Sequence, residues 1–538
     1  MAEYSTIPAQ RNSVSSRTPL EISLRPSMPA IALLLLTLLG AFAASLYKRI
    51  WIDELLEYYT DTQPVQAILH TQLHHPFSLE PPTFHLIVHG FQAILGPTLQ
   101  AQRLPSMLCF LLAQYCIFCI VRAFAGSRAA LIGLLLPTLT YARHYADEGR
   151  SYALLIAMGT LSLLCWYLAT QRPPLRRRVL SLLGLVLSLG LAITSHYYGL
   201  LLLVPLYLAE LVRTFEQRRP DWPVIAALLC GGATILLDVP FSRAALTFKA
   251  HYYSQIPTPQ VIWTTYEWLL GIIGTNLLIA IPVLLLIGVS AFVSAWYVIR
   301  TRVSDAPVSA APISVWTAPV ALTLLPVFAF FLSRFATHAF EPRYTLPALG
   351  GLCIVVALAI SPLLTRKPAY YVIVGLVLFA SLGLAVREVK RCRREYAVFR
   401  RQIQLPSALA DQKGMPRGTI YVRSAESFLL TQFYLPPVAA DHFTLLYSMN
   451  LEYGWIHHDA ASHFAQNIGQ TIPQFHTLPY EQFRALSGAH DVLVTDGKYL
   501  EVDEWLDKQL EADRFQLQPE GPFLLGTAYR ATPPRMLP

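Results

Sequence analysis

The stretch PAIALLLLTLLGAFAASLY, residues 29–47, runs directly into KRIWIDE, residues 48–54. The first part is uncharged and close to the roughly 20 apolar residues that a membrane-crossing helix needs. The second turns abruptly polar and ends on Asp53-Glu54. Ala41-Phe42-Ala43 has the small-x-small form of a signal-peptidase site. The leader before it, with Arg11, Arg17 and Arg25, is long, and the run itself is nearly of spanning length. A signal-anchor helix is therefore expected.

The same alternation of apolar run and polar loop continues along the chain. Further candidate spans lie at about 104–121, 128–141, 151–169, 179–195, 198–213, 223–241, 275–299, 313–333, 345–362 and 369–386, which makes about 11 helices. Composition agrees: of 538 residues 54% are hydrophobic and only 14% charged, with a mean hydropathy of +0.44. Soluble domains carry about 25% charged residues. The net charge of +8 does not indicate nucleic-acid binding, because the basic residues sit in short runs between apolar segments. Six of the seven cysteines lie inside apolar runs and only Cys392 outside, so the polar part has no disulfide framework.

Residues 81–95 are too short for a comfortable span, and their apolar positions Phe84, Ile87, Val88, Phe91, Ile94 and Leu95 recur at helical spacing. This is the pattern of a helix lying in the membrane interface. If it does not cross, one side receives Arg122 and Arg128, Arg172 with Arg176–Arg178, Arg213 with Arg218 and Arg219, Arg300 and Arg302, and Arg366-Lys367. That is the basic excess expected of cytoplasmic loops. The chain then divides into a cytoplasmic tail (1–28), a membrane domain (29–387) and an extracytoplasmic domain (388–538). The basic run Lys390–Arg394 opposes this placement, but long terminal domains translocate largely regardless of charge. From about residue 388 the composition is that of a small α/β soluble domain. Strands are expected at 419–422, 443–447 and 491–495, helices at 424–433 and 499–511, and a strand-rich end at 521–532. The expected fold class is thus an all-α polytopic membrane protein with a small C-terminal α/β domain.

Four polar clusters fall on the expected outer side, each with a bland reading beside it. Trp51-Ile52-Asp53-Glu54 is either a solvated acidic cap or a general base or cation ligand. The stretch 141–152 packs Asp147, Glu148, Arg143, Arg150, His144 and three tyrosines between two apolar helices, as ordinary ion pairing or as a site. Ser195-His196-Tyr197-Tyr198 reads as an aromatic belt or a binding edge. In 338–344, Arg343 before Tyr344 is either an interface arginine or a phosphate clamp. Four such clusters on one face favour a site over coincidence.

These pieces, with Pro81-Pro82, His89 and Arg103-Leu104-Pro105-Ser106, resemble the GT-C superfamily. Specifically, they are similar to bacterial glycosyltransferases of the RgtA/B/C/D-like and protein-mannosyltransferase/aminoarabinose-transferase type. The matched set is Asp53-Glu54, Pro81-Pro82, Arg103–Ser106, Glu148-Gly149-Arg150-Ser151-Tyr152, His196-Tyr197-Tyr198 and Pro342-Arg343-Tyr344, in the family's order over residues 29–362. One departure is Glu80, where the family often carries His or Lys. The resemblance implies a bacterial inner-membrane enzyme that moves a sugar from a polyprenyl-phosphate monosaccharide to a glycan, lipid or protein acceptor, with inversion. It implies Asp53 as base, with Glu148 or Asp147 orienting the acceptor or sharing a divalent cation (Mg or Mn) with Asp53. Arg343, Tyr344, His196, Tyr197, Arg150 and Glu54 become candidates for binding donor phosphate or acceptor. The rival classes are a lipid or sugar transporter or flippase, against which no internal repeat and only Asp238 within an apolar stretch speak, and a non-catalytic membrane scaffold.

Overall fold

The protein is described from a computed structural model, which covers residues 22–171, 173–247, 257–271, 313–403, 420–487, 492–496, 505–524 and 526–534. Helix α1 (Met28–Ser45) begins where Ser27 accepts from Ala30 N and Pro29 occupies the first turn. Leu35, Leu36 and Leu39 remain exposed along it, as do Val372, Leu376 and Phe379 of the helix Lys367–Gln402. Such apolar surface is tolerable where lipid is the solvent. Among the described residues, seven helices can by length and hydropathy cross a membrane, or eight if the pair Ile313–Thr323 and Leu325–Thr337, bent by 55°, forms one span.

That number treats Leu99–Leu139 as a single span, and its packing shows a hairpin. Within α5 (Leu99–Leu135), Gly126 has φ 80° and ψ 174°, a conformation that glycine adopts without steric cost. Gln114 Nε2 donates to Leu134 O at 2.9 Å, although a straight helix would part them by about 30 Å. The two expected segments 104–121 and 128–141 are therefore antiparallel neighbours. Each expected span in the described residues is helical; 345–362 is the short helix Ala348–Ile360, and 275–299 lies outside the described residues.

The loops sort into two ends. At one end Arg122 bonds the carbonyls of Ser23 and Arg25, and Arg128 bonds those of Leu364 and Thr365. Asp221 there pairs with Arg178 (2.5 Å) and Arg213 (2.9 Å). These are the loops expected to share the basic side. At the other end lie α2 (Ile52–Asp61), α3 (Val65–His74) and α4 (Thr83–Leu95), together with the loops around Arg150, His196 and Arg343. Helix α4 buries Phe84, His85 and Val88 and leaves Ile94 and Leu95 exposed, as a surface-lying helix should.

The helix Lys367–Gln402 continues past residue 388 and carries the basic run as an exposed stem. Beyond it, strands β1 (Ile420–Val422), β2 (Phe443–Tyr447), β3 (His476–Pro479), β4 (Val492–Asp496), β5 (Gln516–Phe523) and β6 (Gly526–Thr532) form one sheet in the order β3-β2-β1-β4-β6-β5. The first four are parallel, and β6 joins β4 antiparallel. The domain packs on α2: Ile50, Leu55, Leu56 and Phe77 share a core with Phe428, Phe443 and Ile468. Arg49 pairs with Glu426 at 3.3 Å, and Asn467 donates to Pro76 O at 3.0 Å.

Candidate active site

Helix α2 starts directly after α1, so the first membrane helix fixes where its side chains point. Adjacent residues on a helix diverge by about 100°, and Asp53 and Glu54 accordingly face different surroundings. Asp53 looks into a cavity of about 570 Å³. Its Oδ2 lies 3.2 Å from Arg343 Nη1 and 3.7 Å from Arg150 Nη2. Glu54 is fully buried. Its carboxylate accepts from Arg103 Nε (2.9 Å) and Nη2 (2.7 Å) and from Gly149 N (2.7 Å). Arg103 also donates to the carbonyls of Ser45 and Lys48. Burial alone would raise the Glu54 pKa, but Arg103, Lys48 and the Gly149 N–H hold it below the usual carboxylate range. Glu54 therefore ties three segments together behind the cavity and is not among its lining residues.

Arg150 reaches the cavity held by carboxylates on several sides. Glu80 Oε1 lies 2.5 Å from its Nη2 and Glu57 Oε1 lies 3.1 Å from its Nη1, while Glu80 Oε2 accepts from Ser151 Oγ at 2.6 Å. Glu80 thus anchors Arg150 and Ser151. Arg343 is less committed: beyond Asp53, its Nε is buried without an acceptor among the described residues. Its guanidinium sits 5.8 Å from the Trp51 and Tyr152 ring centroids.

His196, Tyr197 and Tyr344 also line the cavity. The His196 ring lies 5.6 Å from Tyr152 and 4.9 Å from Tyr344. Its Nδ1 accepts from Tyr198 N at 3.2 Å, so the neutral ring carries its hydrogen on Nε2. Burial, with Arg150 and Arg343 nearby, lowers its pKa to about 4. His196 is then a neutral donor at ordinary pH.

Asp147 and Glu148 are not among the cavity-lining residues. Both turn to Lys48, whose Nζ is 2.9 Å from Asp147 and 3.6 Å from Glu148. Burial raises the Glu148 pKa to about 7 against the pull of Lys48. Of the two expected metal ligands, Asp53 lies between two arginines and Glu148 beside a lysine. The described residues that cluster as metal ligands are Glu57, Asp61 and His85, which sequence reasoning did not single out. The available signal was the i, i+4, i+8 spacing of Asp53, Glu57 and Asp61, which puts all three on one face of α2. The C-terminal domain closes the cavity with Ala425, Glu426, His458, Ala460, Ala461 and Phe464.

The membrane helices, the loops at one of their ends and the capping α/β domain together enclose a cavity that sets a carboxylate against two arginines. Residues 79–241 match the family model described as dolichyl-phosphate-mannose-protein mannosyltransferase. The chain is similar to ArnT from Cupriavidus metallidurans in the apo state, with TM-score 0.60, 13% identity, and coverage of 93% of this chain and 97% of that one. It is similar also to the same protein bound to undecaprenyl phosphate, with TM-score 0.61, 13% identity, and coverage of 94% and 98%. No curated protein matches the chain by sequence. The fold is that of ArnT, membrane helices capped by a C-terminal α/β domain.

Proposed function

We propose that the protein is a GT-C glycosyltransferase that takes a sugar from a polyprenyl-phosphate monosaccharide and transfers it, with inversion, to a hydroxyl of a glycan, lipid or protein acceptor on the outer face of a bacterial inner membrane. The observation that carries this reading is the Asp53 carboxylate facing Arg343 and Arg150 in a cavity next to the membrane helices. Asp53 accepts the acceptor hydroxyl's proton as its oxygen attacks the anomeric carbon. The bond from that carbon to the phosphate oxygen breaks, and the lipid phosphate leaves with both electrons. Arg343 neutralises the departing phosphate, since a guanidinium fork suits phosphate geometry and its Nε has hydrogen-bonding capacity to spare. Arg150, fixed by Glu80 and Glu57, holds Asp53 in place. His196 Nε2–H donates to a sugar or phosphate oxygen. The C-terminal domain supplies the acceptor side of the cavity.

The outer-face assignment rests on the basic loops gathering at the opposite end of the helices. Cysteines placed at Ser127 and Asn450 in a Cys230→Ser background test it. Impermeant reagent should label position 450 from outside and position 127 only after permeabilisation; the reverse result overturns the orientation. Incubating purified protein with a panel of polyprenyl-phosphate sugars and acceptors, read by mass spectrometry, tests the chemistry. Movement of labelled lipid across a bilayer without any covalent product would favour the transporter reading.

A further inference from the structure

Glu57 and Asp61 follow Asp53 at successive turns of α2, and the reaction above uses neither as a proton acceptor. Both meet His85 of α4, and all three side chains are wholly buried. His85 Nδ1 lies 2.8 Å from Glu57 Oε2 and 2.7 Å from Asp61 Oδ1. A ring nitrogen carries one hydrogen at most and cannot satisfy both carboxylates. With that hydrogen given to Asp61 Oδ1, Glu57 Oε2 and Asp61 Oδ2 are left without a donor among the described residues. Orphaned oxygens on two buried carboxylates are costly and call for a cation.

The surroundings orient these groups. Glu57 Oε1 is held by Ser78 Oγ (3.2 Å) and Arg150 Nη1 (3.1 Å), which leaves Oε2 turned toward the cluster. Gln72 Nε2 lies 2.7 Å from His85 Nε2. Amide oxygen and nitrogen exchange by a simple flip, so Gln72 can equally accept from Nε2–H and leave a lone pair on Nδ1. His89 Nδ1 lies 2.9 Å from the Asp61 carbonyl and holds the backbone of that turn.

We propose that Glu57, Asp61 and His85 bind one divalent cation, Zn²⁺ or Mn²⁺, at a site separate from the Asp53 cavity. Each residue offers one ligand atom, and these atoms lie within 4.8 Å of one another. Adjacent ligands on bonds of about 2.1 Å stand about 3.0 Å apart in octahedral geometry. The two spacings to His85 Nδ1, 2.8 and 2.7 Å, therefore need to open by a few tenths of an ångström for octahedral Mn²⁺ and by somewhat more for tetrahedral Zn²⁺. One imidazole with two carboxylates suits Zn²⁺ or Mn²⁺ better than Ca²⁺, which takes six to eight oxygens. Binding releases the proton from Nδ1 to solvent and places the metal where that proton was. The cation pins α2 to α4 a turn or two from Asp53 and fixes Glu57 against Arg150. It is a positioning ion that does not touch the reacting atoms.

Full-length protein in detergent, stripped with chelator, is titrated separately with Mn²⁺ and Zn²⁺. Mn²⁺ binding is followed by electron paramagnetic resonance, bound metal by elemental analysis, and unfolding by thermal melt. Wild type and Asp53→Asn should each bind about one equivalent and melt at higher temperature with metal than without. His85→Gln and Asp61→Asn, where folded, should lose the bound equivalent and the thermal shift. If neither variant folds, wild type decides: no stoichiometric binding and no shift with either ion overturns the proposal. So does a folded His85→Gln that keeps its metal, or loss of metal in Asp53→Asn, which would assign the ion to the active site.

Discussion

Glu54→Gln and Asp53→Asn are nearly isosteric changes at adjacent positions, with different expected costs. The Glu54 carboxylate is fully buried and accepts three hydrogen bonds of 2.7 to 2.9 Å, two from Arg103 and one from Gly149. Glutamine leaves Arg103 buried against carbonyls alone and turns an amide N–H₂ toward a guanidinium or a backbone donor. Breaking one side of a buried pair costs about 3–5 kcal/mol, which should lower the melting temperature by on the order of 3–5 °C in a chain of this length. Asp53 is a fifth exposed at the side chain and is paired at 3.2 and 3.7 Å. Losing its charge should cost about 0–1 kcal/mol of stability. As the base, however, its loss should cost about 10²–10⁴-fold in turnover. Thermal melts in detergent and transfer rates at equal protein concentration separate the two effects. A Glu54→Gln protein that melts with wild type would refute the buried-clamp reading. An Asp53→Asn protein with wild-type turnover would refute the base.

Arg343→Ala should raise the apparent KM for the lipid donor by about 10- to 100-fold, the worth of a charged hydrogen bond. Arg343→Lys should recover only part of this, because the fork is lost; unchanged donor KM in Arg343→Ala would remove the residue from the phosphate site. Gly149→Ala places a Cβ 2.6 Å from Gln102 Cγ, so the loop must shift and the Gly149–Glu54 bond suffers. A loss of about 1–3 kcal/mol is expected by thermal melt. Glu148 has its folded pKa raised to about 7, chiefly by burial. Its contribution to stability is therefore fully present below the ordinary carboxylate range and lost as pH rises through about 7. The melting-temperature advantage of Glu148→Gln over wild type should grow from pH 5 to pH 8, and a constant difference would show that the group titrates normally.

Much of the architecture was legible in the chain. The apolar runs are long enough to require lipid, and strands β1, β2 and β4 fell where β-branched and aromatic residues alternate with turn signals. The boundary at 388 was not legible, because the helix Lys367–Gln402 carries its hydrogen-bond ladder past the point where composition changes. Nor was the hairpin at Gly126 evident in the helical assignment, although its two arms were expected as separate segments. Asp53, Arg150, His196, Tyr197, Arg343 and Tyr344 do meet in one cavity, as their common side of the membrane suggested. Glu54, Asp147 and Glu148 share that side but turn away to Arg103 and Lys48.

By itself the sequence determined that the chain lies in a membrane, which loops share an end, and which polar residues crowd there. Those properties follow from hydropathy summed over whole segments and from charge counted along the chain, and both are local quantities. Only the tertiary structure decided which carboxylate faces the cavity and which is spent on a buried cation. That choice depends on the 100° between neighbours on α2 and on partners 49 to 290 residues away, Arg103 for Glu54 and Arg343 for Asp53. It likewise brought Glu57 and Asp61 against His85, more than 20 residues on, where all three side chains are fully buried. One-dimensional spacing carries no information about such a meeting.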